Sequence, residues 1–277
     1  MRGRSRLCIQ QQKKPCVGKP IYQRILKRFW ARCVSERWIS PAWGAPGNVR
    51  SVMTTRAGGV SVGEYGGMNL GKSSGDAAES VSRNREILAA YVGRPIRWLH
   101  QVHGNAVVDD NSFVAGVQAD AQITHHIEFA LAVMVADCMP VLFAAKDGSV
   151  VGAAHAGWRG LSSGVLENTI AKMNVMPSQM MAWMGPCIGP TAFEVGEDVR
   201  AAFFEKNSDV ERAFEPRKGI PGKYFCNLIM LAKARIYAAG ITTILGGVGC
   251  TYSEPEQFFS YRRVAQSGRM AALIWKT

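Results

Sequence analysis

Two apolar runs of this sequence end in residues that carry chemistry. The stretch "ADCMPVLFAAKDGSVVGAAHAGWRG", residues 136–160, sets Cys138 directly after an acid, Asp137, and sets His155 at the close of the next apolar run. Histidine is scarce, with five in 277 residues: His100, His103, His125, His126 and His155. His103 lies in "HQVHG", where another apolar segment gives way to a glycine turn. Two imidazoles and a thiolate suit Zn2+, and three protein donors leave a fourth position for water or substrate, as in catalytic rather than structural sites. The three are separated by 35 and 17 residues, too far apart for a zinc finger, so they must converge through the fold. The same residues also suit a Cys–His hydrolase, with Cys138 as nucleophile, His155 as its base and Asp137 as an orienting group. A plainer reading makes Cys138 a small buried hydrophobe and each His a satisfied structural side chain. Asp137 weighs toward function, because an acid inside an apolar strand is costly without a partner or a task.

Other stretches carry weaker signals. "RAGGVSVGEYGGMNLG" offers backbone amides near Arg56 that could cradle an anion, but it lacks the spacing of a nucleotide P-loop, and its glycines equally suit turns. "FFSYRR" and the following "GR" combine aromatics with Arg262, Arg263 and Arg269, which fits a planar or phosphorylated ligand or simply a solvated edge. His125 and His126 read as an exposed turn, and Cys187, hemmed in by "GPCIGP", reads as packing. The H-x-E with P-C-x-x-C pattern of zinc nucleobase deaminases is absent. Five histidines are too few for a trinuclear copper cluster plus a blue-copper site.

The elements that must position these residues follow from the pattern. "VRSVMTTR", "FALAVMVAD", "VLFAA", "VVGAAHA", "QMMAWMG", "ITTILGG" and "RMAALIW" read as strands, with shorter apolar segments at "IRWLHQV", "AVVDD" and "AQIT". The Asp-Gly of "KDGS" predicts a hairpin between the two runs that carry Cys138 and His155. Helices are expected from an Asp76 cap to Gly93, from about Leu161 to Met173, and over residues 196–205 and 225–239. Strands and helices mix without regular βαβ alternation, which predicts one α+β domain with a mixed sheet.

Charge divides the chain. Net charge is +12, but residues 1–37 hold eleven Lys/Arg against one acid, and the remaining 240 residues are nearly neutral with 22 basic and 20 acidic side chains. Charge alone is therefore no argument for nucleic-acid binding. "IYQRILKRFWARCV" is a basic amphipathic stretch compatible with a membrane surface or a transit peptide, and residues 1–37 are expected to form a disordered extension before a domain at 38–277. No run reaches the ~18 apolar residues of a membrane span, so no stable membrane insertion is expected. The body's four cysteines, at 138, 187, 226 and 250, have no CxxC spacing, which suggests a reducing cytoplasm.

Taken together, "TTRAGGVS", "MNLG", "RNRE", "QVHG", "ADA", "ADCMPVLF", "HAGWRG", "GPCIGPTAFEVG", "CTY" and "FFSYRR…GRMA" resemble the YfiH-type family of polyphenol oxidase (laccase) domain proteins and multifunctional purine nucleoside phosphorylases. The resemblance implies a single-domain α+β sandwich with a mixed sheet and flanking helices, and one zinc ion on His103, Cys138 and His155. It implies purine nucleosides and phosphate as partners, with phosphorolysis of adenosine, inosine, guanosine and methylthioadenosine and deamination of adenosine. In such chemistry Asp137 would carry a proton, Arg56 and Arg159 would steer phosphate, and Asn69 would position ribose or base. Rival expectations are a Cys–His hydrolase or amidase acting on cell-wall precursors, a copper polyphenol oxidase, and a non-enzymatic zinc-binding module. One departure is Asn227 in "KYFCNL", where the family often has aspartate.

Overall fold

The strand-forming runs in the middle of the chain are apolar at almost every position because both of their faces are covered. In a computed structural model, which describes residues 37–204 and 208–277, β5 (Ala130–Val135) turns Leu131, Val133 and Val135 to one side and Ala130 and Ala132 to the other, all buried. The C-terminal strand β13 (Met270–Lys276) does the same with Met270, Ala272 and Ile274 against Ala271, Leu273 and Trp275. The period of two is that of a pleated strand, and two apolar faces mean two neighbouring layers.

Three sheets result. The first has the order β1 (Val49–Met53), β13, β5, β2 (Ile96–Arg97). The second, of six strands, runs β12 (Thr243–Gly246), β8 (Met180–Met184), β6 (Met139–Ala145), β7 (Val151–Ala156), β4 (Ala121–Thr124), β3 (Val107–Val108). The third is small: β10 (Phe214–Pro216), β11 (Lys223–Cys226), β9 (Glu194–Gly196). The first two pack face to face: Leu131, Val133, Met270 and Ile274 of one meet Leu142, Val151, Ala153 and Trp183 of the other in a shared core. Helix α1 (Ala78–Val92) covers the outer face of the four-stranded sheet through Ile87, Leu88 and Val92. Helices α3 (Val165–Met173) and α5 (Leu228–Ala238) cover the outer face of the six-stranded one. The mixed sheets are those the strand and helix pattern predicts, and the sandwich with flanking helices is the one the resemblance implies.

Local differences have physical causes. The helix expected over 161–173 is two, α2 (Trp158–Ser163) and α3, because Gly164 sits between them at φ +99°, a left-handed conformation that ends one helix and starts the next. The helix expected from 225 begins at Leu228; the residues before it extend as β11, and Asn227 caps α5 by accepting the Met230 amide at 3.0 Å. Asp76 does not accept from the first turn of α1 as a cap would: its carboxylate accepts from the Ala77 amide, the Ser61 hydroxyl and Asn69 instead. Helix α4 spans Glu197–Phe204. The expected basic extension lies outside the described residues except for Arg37.

Candidate metal centre

The β6–β7 hairpin brings two of the candidate donors together. Its register pairs Pro140 with His155 and Met139 with Ala156, so Cys138, one residue before β6, faces Gly157, one residue after β7. The turn is the predicted one, with Gly148 at φ +71° and its amide bonded to the Ala145 carbonyl at 2.9 Å. Gly157 is a spatial requirement: a Cβ there would lie 2.8 Å from Cys138 Sγ and 3.3 Å from His103 Cδ2.

His103 arrives from the other side, on a turn where it takes φ +60°. Two features hold that turn. Gln101 behaves as a surrogate strand residue, donating Nε2 to the Met134 carbonyl at 2.8 Å and accepting the Met134 amide at 2.7 Å. Asp120 is buried at the start of β4 and accepts three successive amides, Val102 at 3.1 Å, His103 at 2.9 Å and Gly104 at 2.7 Å. Its Oδ1 also meets His155 Nδ1 at 2.8 Å. Burial alone would raise the Asp120 carboxyl, but His155 and the amides outweigh it and hold it below its ordinary value, so it is ionised. An ionised carboxylate only accepts; His155 Nδ1 therefore carries a proton, and Nε2 is the atom the ring can offer to an ion.

The outcome is a single group. One ligand atom from each of His103, Cys138 and His155 lies within 4.8 Å of the others, and the two imidazoles meet edge to face with centroids 4.8 Å apart. Among the described residues it is the one group of three or more His, Cys, Asp or Glu that could hold an ion. The donor set fits a metal: burial would push the Cys138 thiol up, but His155 and His103 overcome this and bring it down to about 6. Burial would likewise lower His155, yet the Cys138 thiolate and Asp120 raise it to about 9. The carboxylate on the far nitrogen of a ligating His is the usual second layer of a metal site.

The other candidates sit differently. Asp137 adopts φ +88° beside Cys138, but its carboxylate points away, accepting Thr251 Oγ1 at 2.7 Å and the Arg262 amide at 2.6 Å. Asn69 is buried and fully engaged: it donates to Ser74 and Asp76 and accepts the Gly71 and Arg269 amides. Arg56 donates to the Pro255 carbonyl at 2.9 Å and the Gly66 carbonyl at 3.4 Å and lies over Phe259. Its glycine-rich loop closes on itself, with Ser61 and Gly67 exchanging amides and carbonyls, so the turn reading holds there. Arg159 is exposed on the first turn of α2, its guanidinium over Trp158. His125 and His126 are exposed beside Asp110, and Cys187 is buried, its thiol pushed far up by burial. Asp120 was not among the residues singled out by type and spacing, although it lies within the "ADA" stretch.

These features define a β-sandwich protein with one His–Cys–His centre where strands of both layers end. Residues 50–277 match the family model described as multi-copper polyphenol oxidoreductase laccase, and the chain belongs to that family, the one that includes YfiH. A relative from Escherichia coli K12, named purine nucleoside phosphorylase YfiH, is 44% identical over 87% of this chain and 99% of its own. A Pseudomonas aeruginosa protein named a purine nucleoside phosphorylase is 43% identical over 86% and 98%. The crystal structure of Neisseria meningitidis protein NMB0706 superimposes with a TM-score of 0.84 at 46% identity, covering 87% of this chain and 99% of that one. YlmD from Geobacillus stearothermophilus gives a TM-score of 0.75 at 29% identity, over 86% and 96%. No helix among the described residues is long and apolar enough to cross a membrane.

Proposed function

We propose that this chain is a zinc-dependent purine nucleoside phosphorylase, acting on adenosine, inosine, guanosine and methylthioadenosine, with deamination of adenosine at the same site. The observation that carries the reading is the convergence of His103, Cys138 and His155 in relatives' company that bears the phosphorylase name. Two imidazoles and one thiolate favour zinc, and one three-donor group is too small for a multicopper cluster. When bound, the ion supplies a Lewis acid that polarises an oxygen of phosphate, substrate or water.

The chain's own residues do the rest. Asp120 fixes His155 and the His103 turn with one carboxylate, so two donors keep their aim without substrate. In phosphorolysis an oxygen of hydrogen phosphate forms a bond to C1′ of the ribose as the C1′–N9 bond breaks; the electron pair leaves with the purine, which takes up the proton that the phosphate gives up. Arg159, exposed just after His155, is free to attract the anion. Asp137 acts as a clamp on Thr251 and the Arg262 amide, because both of its oxygens are occupied.

The test is metal analysis of the purified protein together with phosphate-dependent release of base from inosine and adenosine. One equivalent of zinc, with hypoxanthine and ribose 1-phosphate from inosine, is the expected result. Zinc without any nucleoside turnover would end the purine reading and leave the metal centre standing.

The low Cys138 thiol beside a raised His155 favours one alternative, a Cys–His hydrolase acting on amides such as those of cell-wall precursors. A coordinated thiolate is not free to attack, so bound metal counts against it. His103→Ala separates the two: it abolishes metal chemistry but spares a Cys138–His155 pair.

A further inference from the structure

Three arginines follow the aromatic run near the C-terminus, and the fold treats them unequally. Arg263 is consumed by main-chain carbonyls of Thr251, Tyr252 and Phe258, at 2.7, 2.8 and 2.6 Å. Arg262 gives its amide to Asp137 and its guanidinium to the Glu194 carbonyl at 2.8 Å. Arg269 is different. It is half-buried, its Nη1 donates to its own neighbours Ser267 and Gly268 at 2.6 and 3.1 Å, and no carboxylate pairs with it among the described residues. Its guanidinium lies over Tyr261, with the ring centroid at 5.7 Å.

The backbone and stem of this arginine are held with unusual care. Asn69 Oδ1 accepts the Arg269 amide at 2.9 Å, and the Leu70 amide donates to the Arg269 carbonyl at 3.0 Å. Gly71 then leaves room for the side chain, since a Cβ there would lie 2.7 Å from Arg269 Cγ. Arg85 braces the same segment from behind, donating Nε to the Leu70 carbonyl at 2.9 Å. The "MNLG" stretch is thus a cradle for one residue.

We propose that Arg269 is the phosphate-binding residue of this site and that residues 69–71 aim it. The proposal rests on the phosphorylase reading and deepens it. A cation drawn out of water without an acid partner is costly, and a cradle that keeps it there makes sense if an anion completes it. The strand register places it by the metal centre: Met270 pairs with Val135, so Arg269, one residue before β13, lies opposite the end of β5, from which the chain runs on through Asp137 to Cys138. Guanidinium presents paired N–H groups that match two phosphate oxygens, and the edges not bonded to Ser267 and Gly268 are the ones left for them.

The test uses the full-length, metal-loaded protein. With inosine saturating, Arg269→Gln should raise the KM for phosphate by about tenfold to a hundredfold, the loss of charged hydrogen bonds. The KM for inosine and the metal content should not move. Gly71→Ala, which displaces the arginine without touching any ligand, should raise the phosphate KM in the same direction and serves if Arg269→Gln folds poorly. Arg83→Gln, on the exposed face of α1, should change nothing. An unchanged phosphate KM in both Arg269→Gln and Gly71→Ala, or a loss that falls on inosine instead, overturns the proposal. If the unaltered protein turns over no nucleoside, the phosphorylase reading fails by itself, and calorimetric titration with inorganic phosphate decides the arginine separately. Binding that is lost in Arg269→Gln upholds it; equal binding, or none by the unaltered protein, overturns it.

Discussion

Asp120 is the residue on which the centre turns, because one buried carboxylate serves two donors that come from different segments. Asp120→Asn keeps the shape but loses the charge that fixes His155 Nδ1–H, so metal affinity should fall about ten- to a hundredfold, as for other second-layer partners. Competition with a chelator of known affinity measures it. Gly157→Ala should act by crowding instead: the new methyl would press on Cys138 Sγ at 2.8 Å, and metal should be lost while the far-ultraviolet circular dichroism stays unchanged. At this scale the donors were legible in the sequence and their support was not. Cysteine and histidine are few and stand at the ends of apolar runs, whereas Asp120 is one acid among 21, with no spacing that separates it from a surface residue. Asn69 and Arg56 were legible as polar residues in a glycine-rich loop, but only packing reveals that their hydrogen bonds are spent within the protein.

Elements carry the next level of support, and the β2–β4 region shows how. Arg97 on β2 meets Asp110 at 2.8 Å, and Asp110 also accepts Thr124 Oγ1 and the His125 amide, tying the two sheets together at the end of β4 away from the centre. Burial would raise the Asp110 carboxyl, but Thr124, the His125 amide and Arg97 together bring it below its ordinary value. A lowered carboxylate stabilises the fold above its unfolded value, about 3.9, and that contribution disappears as pH falls through the folded value. The stability gap between the unaltered protein and Asp110→Asn should therefore shrink as pH falls below about 4. Urea titrations at several pH values check this. Boundaries were the least legible feature of the elements. The 3.6-residue period runs through Gly164 without a break, and the left-handed turn there depends on how α2 and α3 must each pack. Asn227 shows the reverse case: its amide retains the acceptor that a helix cap needs, and the structure uses it so.

The whole molecule is a stack in which the central strands of both large sheets are buried on each side, and this much could be read from the near-continuous apolar runs of β5, β6, β8 and β13. Which strand neighbours which could not, since β13 inserts between β1 and β5 across more than a hundred residues of chain. Ile274, fully buried between the sheets, is a fair probe of that stack: Ile274→Ala should cost about 2–5 kcal/mol, read as a lower denaturant midpoint. The three donors lie on a turn and two strand ends that the unfolded chain keeps far apart, so an ion that fits them has nothing comparable to grip before folding is complete. Every bound ion then subtracts from the population able to unravel: at a hundred times its dissociation constant it deepens the native well by about 2.7 kcal/mol. The melting point of this protein should accordingly act as a gauge of free metal in the surrounding solution, climbing with supply and sliding back when a chelator takes the ion away.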